Sequence, residues 1–138
     1  MSTNDTSGTG MAEKGPRYAI GKKNPNLPFH PAVRAGDFIF VSGQVAKDAD
    51  GNMVEGTIEE ETQATIDAIR RILAEDGATL DDVVRVTTYL QDTRDFGRYN
   101  KVFGANFTNA GLARTTVEAK AVINTKIEMD AIAYKPLK

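Results

Sequence analysis

The chain is sparing with residues that do chemistry. It has one histidine and no cysteine, which excludes a cysteine nucleophile, thiolate zinc sites and disulfide staples. No Ser, His and Asp stand in the pattern of a nucleophilic hydrolase, and no glycine loop of the phosphate-binding kind is present. No histidine pair marks a metal site. The run Glu59-Glu60-Glu61 opens a helix, where its charge complements the dipole. His30, between Phe29 and Pro31 in a proline-rich stretch, reads either as a rim or turn histidine or as a proton-transfer group. Two residues remain. Arg114 follows the flexible stretch NAGLA and opens a β-strand, a place from which a guanidinium could point into a cleft. Glu128 sits in the apolar strand IEMDAIA, where alternation puts Glu128, Asp130 and Ile132 on one face. Simple solvent exposure is the ordinary reading of both. Working together, a planar cation grips a carboxylate and an acid group orients water.

The elements that must position these residues follow from pattern. Residues 1–16 are rich in Ser, Thr, Gly and Asn, with Met11 the one large apolar side chain beyond the initiator, so they are expected to form a flexible arm. Residues 17–138 then make one domain. Tyr18 to Ile20 is a short strand, and Pro25, Pro28 and Pro31 stiffen a loop. DFIFVSGQVA, residues 37–46, is a strong strand in which Gly43 admits another backbone or a ligand. DADGN at 48–52 has turn chemistry leading to a short strand at Met53-Val54, giving a hairpin. Thr57 and Glu60 form a capping-box signature for a helix over 58–75, with Gly77 as its left-handed cap. VVRVTTYL, residues 83–90, is a strand, and Asp92 or Thr93 caps a second helix carrying Phe96, Tyr99, Phe103 and Phe107. Thr115 to Ala121 and Lys126 to Tyr134 are the last two strands.

The order ββ(β)αβαββ predicts an α+β fold, a mixed sheet with two helices on one face and parallel strands joined through the helices. The other face is left bare. Thr87, Tyr89, Thr116 and Glu118 are placed there, and a second subunit is the expected cover. If the last two strands form a direct hairpin, Glu128 lies opposite about residue 119, roughly five residues or 16 Å from Arg114. The two could then meet on a substrate only if separate subunits supply them.

Composition bounds the partners. Seventeen Lys and Arg against nineteen Asp and Glu give a formal charge of −2, and with a pI near 5.4 the chain lacks the electrostatic footprint of a nucleic-acid binder. No apolar run reaches the length of a membrane span, and the N-terminus lacks a secretory signal, so the cytoplasm is the expected location.

Five features in series carry a resemblance: SGQ within AVRAGDFIFVSGQV (32–45); the strand LDDVV-x-VT-x-YL-x-D within residues 77–103; the helix pattern F-x-x-x-N ending at Asn100; AR-T at 113–115; and IE-x-D-AIA at 127–133. With EETQATIDAIRRIL (60–73), their order and spacing resemble the YjgF/RidA superfamily of enamine/imine deaminases over roughly residues 25 to 134. The resemblance implies a chorismate-mutase-like fold, a homotrimer whose sheets surround a central barrel, ligand clefts between subunits, and no metal or other cofactor. It implies that Arg114 clamps a substrate carboxylate and Glu128 holds or activates the attacking water. Ser42 and Gly43 would line the cleft, Asn100 its wall, and backbone near Thr116 would touch ligand. The reaction would turn a carboxylate-bearing enamine or 2-imino acid of the 2-aminoacrylate type into keto acid and ammonia. Phe29 stands where many active members carry tyrosine, so that hydroxyl is missing. This leaves two further readings: a deaminase of a larger unsaturated amino acid such as 2-aminomuconate, and a trimer that binds small carboxylates without turnover. The ribonuclease activity of some relatives fits poorly with the acidic balance.

Overall fold

The computed structural model describes residues 15–109 and 111–137. The arm expected over residues 1–16 therefore lies, through residue 14, outside the described residues. Six strands form one sheet in the order β1-β2-β3-β6-β4-β5, where β1 is Arg17–Ile20, β2 Ala32–Ala35, β3 Phe38–Val45, β4 Val83–Leu90, β5 Ala113–Glu118 and β6 Ile127–Tyr134. Two helices, α1 (Ile58–Ala74) and α2 (Phe96–Asn106), complete the mixed α+β fold. No helix among the described residues is long and apolar enough to cross a membrane.

Local chemistry accounts for α1. The Thr57 hydroxyl accepts from the Glu60 N–H at 3.1 Å, and the Glu60 carboxylate accepts from the Thr57 N–H at 2.9 Å, a reciprocal cap worth about 1 kcal/mol. At the other end Gly77, at φ 77°, lets the Ala78 N–H turn back to the Leu73 carbonyl. Between the caps Ile66, Ile69 and Leu73 are fully buried. They join Ile39, Val41, Val86, Met129, Ala131 and the α2 residues Tyr99 and Phe103 in one core. Each large side chain buried this way contributes on the order of 1.5–3 kcal/mol.

Alternation then divides the sheet. On β4, Val86, Thr88 and Leu90 are buried toward the helices while Arg85, Thr87 and Tyr89 are not; on β6, Ile127, Met129, Ala131 and Ala133 are buried while Glu128, Asp130, Ile132 and Tyr134 are not. The second face is bare in the single chain, with the Phe38 and Tyr134 rings tilted against each other at 5.3 Å and both exposed.

Several expectations need correction. AVRA (32–35), to which the pattern assigned no element, forms β2, paired to both β1 and β3. Gly36, at φ 59°, makes the tight turn into β3. Arg34 is buried because its guanidinium meets Asp76 at 2.8 Å, a carboxylate that also accepts from Tyr18. The hairpin through 48–52 keeps its turn, with Asp48 accepting from Asp50 and Asn52. Its second strand reduces to a single bridge, Lys47 to Met53, because the cap of α1 begins four residues later. The strand expected at 115–121 lies at 113–118: it pairs in parallel with β4 until Glu118 meets Leu90, where β4 ends.

The last two strands are not neighbours. β4 lies between β5 and β6, and Glu128 faces Tyr89, not residue 119. Because β3 and β4 both run antiparallel to β6, they are parallel to each other, as the helix crossover requires. Thr116 and Glu118 also point to the helix face. Thr116 lies 3.2 Å from the Tyr99 hydroxyl, and Glu118 accepts from the Thr93 N–H.

Candidate functional site

A cleft of about 260 Å³ opens on the bare face, at the end where β6 begins and β3 and β4 finish. Gly43, Tyr89, Glu128 and Asp130 form its base and the connection 119–122 its wall. Register brings them together: Tyr89 faces Glu128 and Thr87 faces Asp130 across the β4–β6 ladder. On the β3 side the register slips between Val41 and Gln44, so that Ser42 and Gly43 share the single partner Asp130. Such an extra residue re-aims side chains next to it.

Gly43 is required there by space. A Cβ on it would stand 2.2 Å from Glu128 Oε2, so any side chain must evict the carboxylate. The close approach expected at Gly43 is thus made by Glu128 itself. The Glu128 carboxylate has no hydrogen-bond or ion-pair partner among the described residues. Burial, and after it the charge of Asp130, pushes its carboxyl above the usual carboxylate range. Tyr89 donates to Asp130 at 3.3 Å, long for an O–H···O bond. Its phenol is raised first by the charge of Asp130, then by burial, the hydrogen bond and Glu128. A carboxylate beside open space can accept a proton from water and return it.

Arg114 occupies the opposite side of the sheet. From edge strand β5 its guanidinium lies over three rings of α2, with the carbon 5.8 Å from the Phe96 centroid, 5.1 Å from Tyr99 and 4.7 Å from Phe103. Tyr99 is fully buried and its hydroxyl donates to Thr88 at 2.7 Å, which fixes the middle ring. The aromatic faces attract the cation and orient its plane, and among the described residues no carboxylate neutralises it. What is left is a preset fork for an anion.

The site residues expected from sequence thus fall into two groups. Glu128 and Gly43 meet in the cleft. Ser42, beside them, spends its hydroxyl proton on the His30 carbonyl at 2.8 Å, tying down the loop that carries the half-exposed Phe29. Arg114 and Thr116 belong to the helix face, and Asn100 is exposed on α2 four residues after Phe96. Arg114 pairs with Val86 and Glu128 with Tyr89, three residues apart along β4 and on opposite faces. One chain cannot bring them onto one small molecule. Sequence reasoning did not single out Tyr89 or Asp130 as site residues, although the alternation of Glu128 and Asp130 was a usable signal. It read the aromatic run of α2 as a helical pattern and gave it no part in the site. Among the described residues no three His, Asp or Glu side chains gather as a metal site.

A six-stranded mixed sheet backed by two helices, with Glu128 in a cleft on one face and an aromatic-seated arginine on the other, defines a class of small α+β domain with candidate ligand groups at the sheet's end and edge. The endoribonuclease L-PSP family model matches residues 21–135, and the chain belongs to that family, the YjgF/RidA family. A RutC family protein of Pyrococcus abyssi is 44% identical over 113 residues, covering 80% of this chain and 89% of its own. The mitochondrial protein mmf2 of Schizosaccharomyces pombe is 40% identical over 110 residues, covering 77% and 86%. Among solved structures, yeast Mmf1 superposes with a TM-score of 0.80 at 28% identity, covering 86% of this chain and 98% of that one. Rv2704 of Mycobacterium tuberculosis, a member of the YjgF/YER057c/UK114 family, gives 0.75 at 25% identity, covering 86% and 98%.

Proposed function

We propose that this protein hydrolyses the C=N bond of a carboxylate-bearing imine, in a site that takes Arg114 from one copy of the chain and Glu128 from another. The observation that carries this is the pairing of Glu128, which lies beside open space with no hydrogen-bond partner among the described residues, with a guanidinium that is seated on aromatic rings and meets no carboxylate among those residues. A 2-imino acid needs both: a fork for its carboxylate and an acid group that handles water and protons at the adjacent carbon. Water adds to the carbon of the protonated imine, its proton passing to Glu128. Glu128 returns that proton to the nitrogen of the tetrahedral aminol, the C–N bond breaks to release ammonia, and the hydroxyl proton passes to Glu128 and on to solvent as the C=O forms. Imine and water balance keto acid and ammonia, and an enamine enters the same path once protonated at carbon. Three copies around the bare sheet faces would cover Phe38, Phe40 and Tyr134 and bring the two groups together. Phe29, half-exposed on the loop tied to Ser42, favours a larger apolar or unsaturated substituent over the smallest enamines.

The test is a panel of amino acids, each oxidised to its imine in situ, with ammonia and keto acid followed with and without the protein. Faster ammonia release from imino acids is expected. Tight keto-acid binding with no acceleration on any member would establish a carboxylate-binding protein in place of an enzyme.

A further inference from the structure

Glu61 is a buried carboxylate to which the chemistry above gives no role. It stands on the first turns of α1 at 3% exposure, on the face that otherwise buries Ile58, Thr62, Thr65 and Ile66. Four donors surround it: the Gly56 N–H at 3.1 Å, the Lys126 N–H at 3.0 Å, the Lys126 ammonium at 3.2 Å and, at 3.4 Å, the Thr125 hydroxyl, whose one proton is shared with the nearer Ile127 carbonyl at 3.1 Å. A charge taken out of water is tolerated only when so fully paired, and an apolar residue would serve a packing role at that position without this cost. Three of the four donors come from the two residues that lead into β6. The Lys126 carbonyl in turn accepts from the Gln91 N–H at 3.0 Å, just past β4, so the start of β6 is fastened from the helix layer and from the neighbouring strand. Glu128 follows two residues later, and the same connection, at 119–122, walls the cleft.

We propose that Glu61 is a positioning residue of the active site: through Thr125 and Lys126 its carboxylate sets the path of the chain that seats Glu128 against Gly43 and frames the cleft wall. This rests on the reading that Glu128 works on water at a C=N carbon, and it asks how that carboxyl stays where it is.

The experiment compares Glu61→Ala and Glu61→Gln with the parent in the full chain. It follows the pH–rate profile of imine hydrolysis, the titration of the Glu128 carboxyl by carbon-13 NMR, and the folded fraction by circular dichroism. In Glu61→Ala, kcat is expected to fall on the order of 10- to 100-fold. The acid limb of the profile and the Glu128 titration should both move down toward the ordinary glutamate range as water reaches the carboxyl. Glu61→Gln keeps an acceptor for the Lys126 N–H, and should recover much of kcat and part of the titration shift. A kcat that falls only with the folded fraction, with acid limb and titration unmoved, overturns the proposal. If the parent hydrolyses no imine, the functional reading fails separately, and the Glu128 titration still decides whether Glu61 positions it. If Glu61→Ala does not fold, Glu61→Gln is read alone: a Glu128 titration moved part of the way down is expected, and a titration unmoved from the parent's overturns the proposal.

Discussion

The Glu128 cleft and the Arg114 seat hold opposite charges by opposite means. Arg114 is oriented by three aromatic rings, one locked by the Tyr99–Thr88 bond. A guanidinium is a planar cation with a rigid fork of donors, so the protein needs only to aim it. Glu128 is oriented by space, lying where a side chain at Gly43 would be, and burial, followed by the charge of Asp130, raises its carboxyl pKa. A group that binds can be cradled permanently, whereas one that exchanges protons works best with space for water beside it, and under the proposed function Arg114 is the first kind and Glu128 the second. The two regions should therefore fail differently.

The largest effect is expected on the acid side. Glu128→Gln should lower kcat on the order of 100- to 10,000-fold and abolish the acid limb of the pH–rate profile, with keto-acid affinity nearly unchanged. Stability gives a second reading of the same residue. A carboxyl whose folded pKa is raised favours the folded state at low pH, an advantage lost as pH rises through that raised value. The variant should thus melt no lower than the parent at neutral pH, which calorimetry checks. On the cation side, Arg114→Ala should lower kcat/KM about 30- to 1,000-fold, equivalent to about 2–4 kcal/mol. Calorimetric titration with a keto acid should show weakened binding, while the acid limb stays in place. Equal damage to binding from both variants would erase the division of labour.

Smaller changes sharpen it. Gly43→Ala should evict the Glu128 carboxylate and lower kcat on the order of 10- to 100-fold, leaving the melting temperature little changed because Gly43 is at the surface. Phe103→Leu should raise KM only a few-fold, since one cation–π contact contributes about 0.5–2 kcal/mol, and steady-state kinetics should show no shift in the pH profile.

How much of this was legible in the sequence depends on distance along the chain. The Thr57–Glu60 cap, the strand Val83–Leu90 and the shared face of Glu128 and Asp130 are written in neighbouring residues, and the structure reproduces them. β2 was not legible because four residues, one of them Arg34, carry no strand signal until Asp76, 42 positions away, pairs with the guanidinium. The insertion of β6 between β3 and β4, and the turning of Thr116 and Glu118 to the helix face, are likewise decided by pairings that no local period encodes. The separation of Arg114 from Glu128 within one chain was expected from a hairpin that does not exist. It holds for another reason: the residues lie on opposite faces of the sheet.

That separation makes the shared site directly measurable. Arg114→Ala and Glu128→Gln, each nearly inactive alone, should be mixed in equal amounts, unfolded and refolded together. If one copy supplies the arginine and another the glutamate, random assembly leaves roughly a quarter of the sites with both native groups, and about that share of parental activity should return. Activity no greater than the average of the two separate variants, with mixed oligomers verified by mass spectrometry, would contradict a site built between copies.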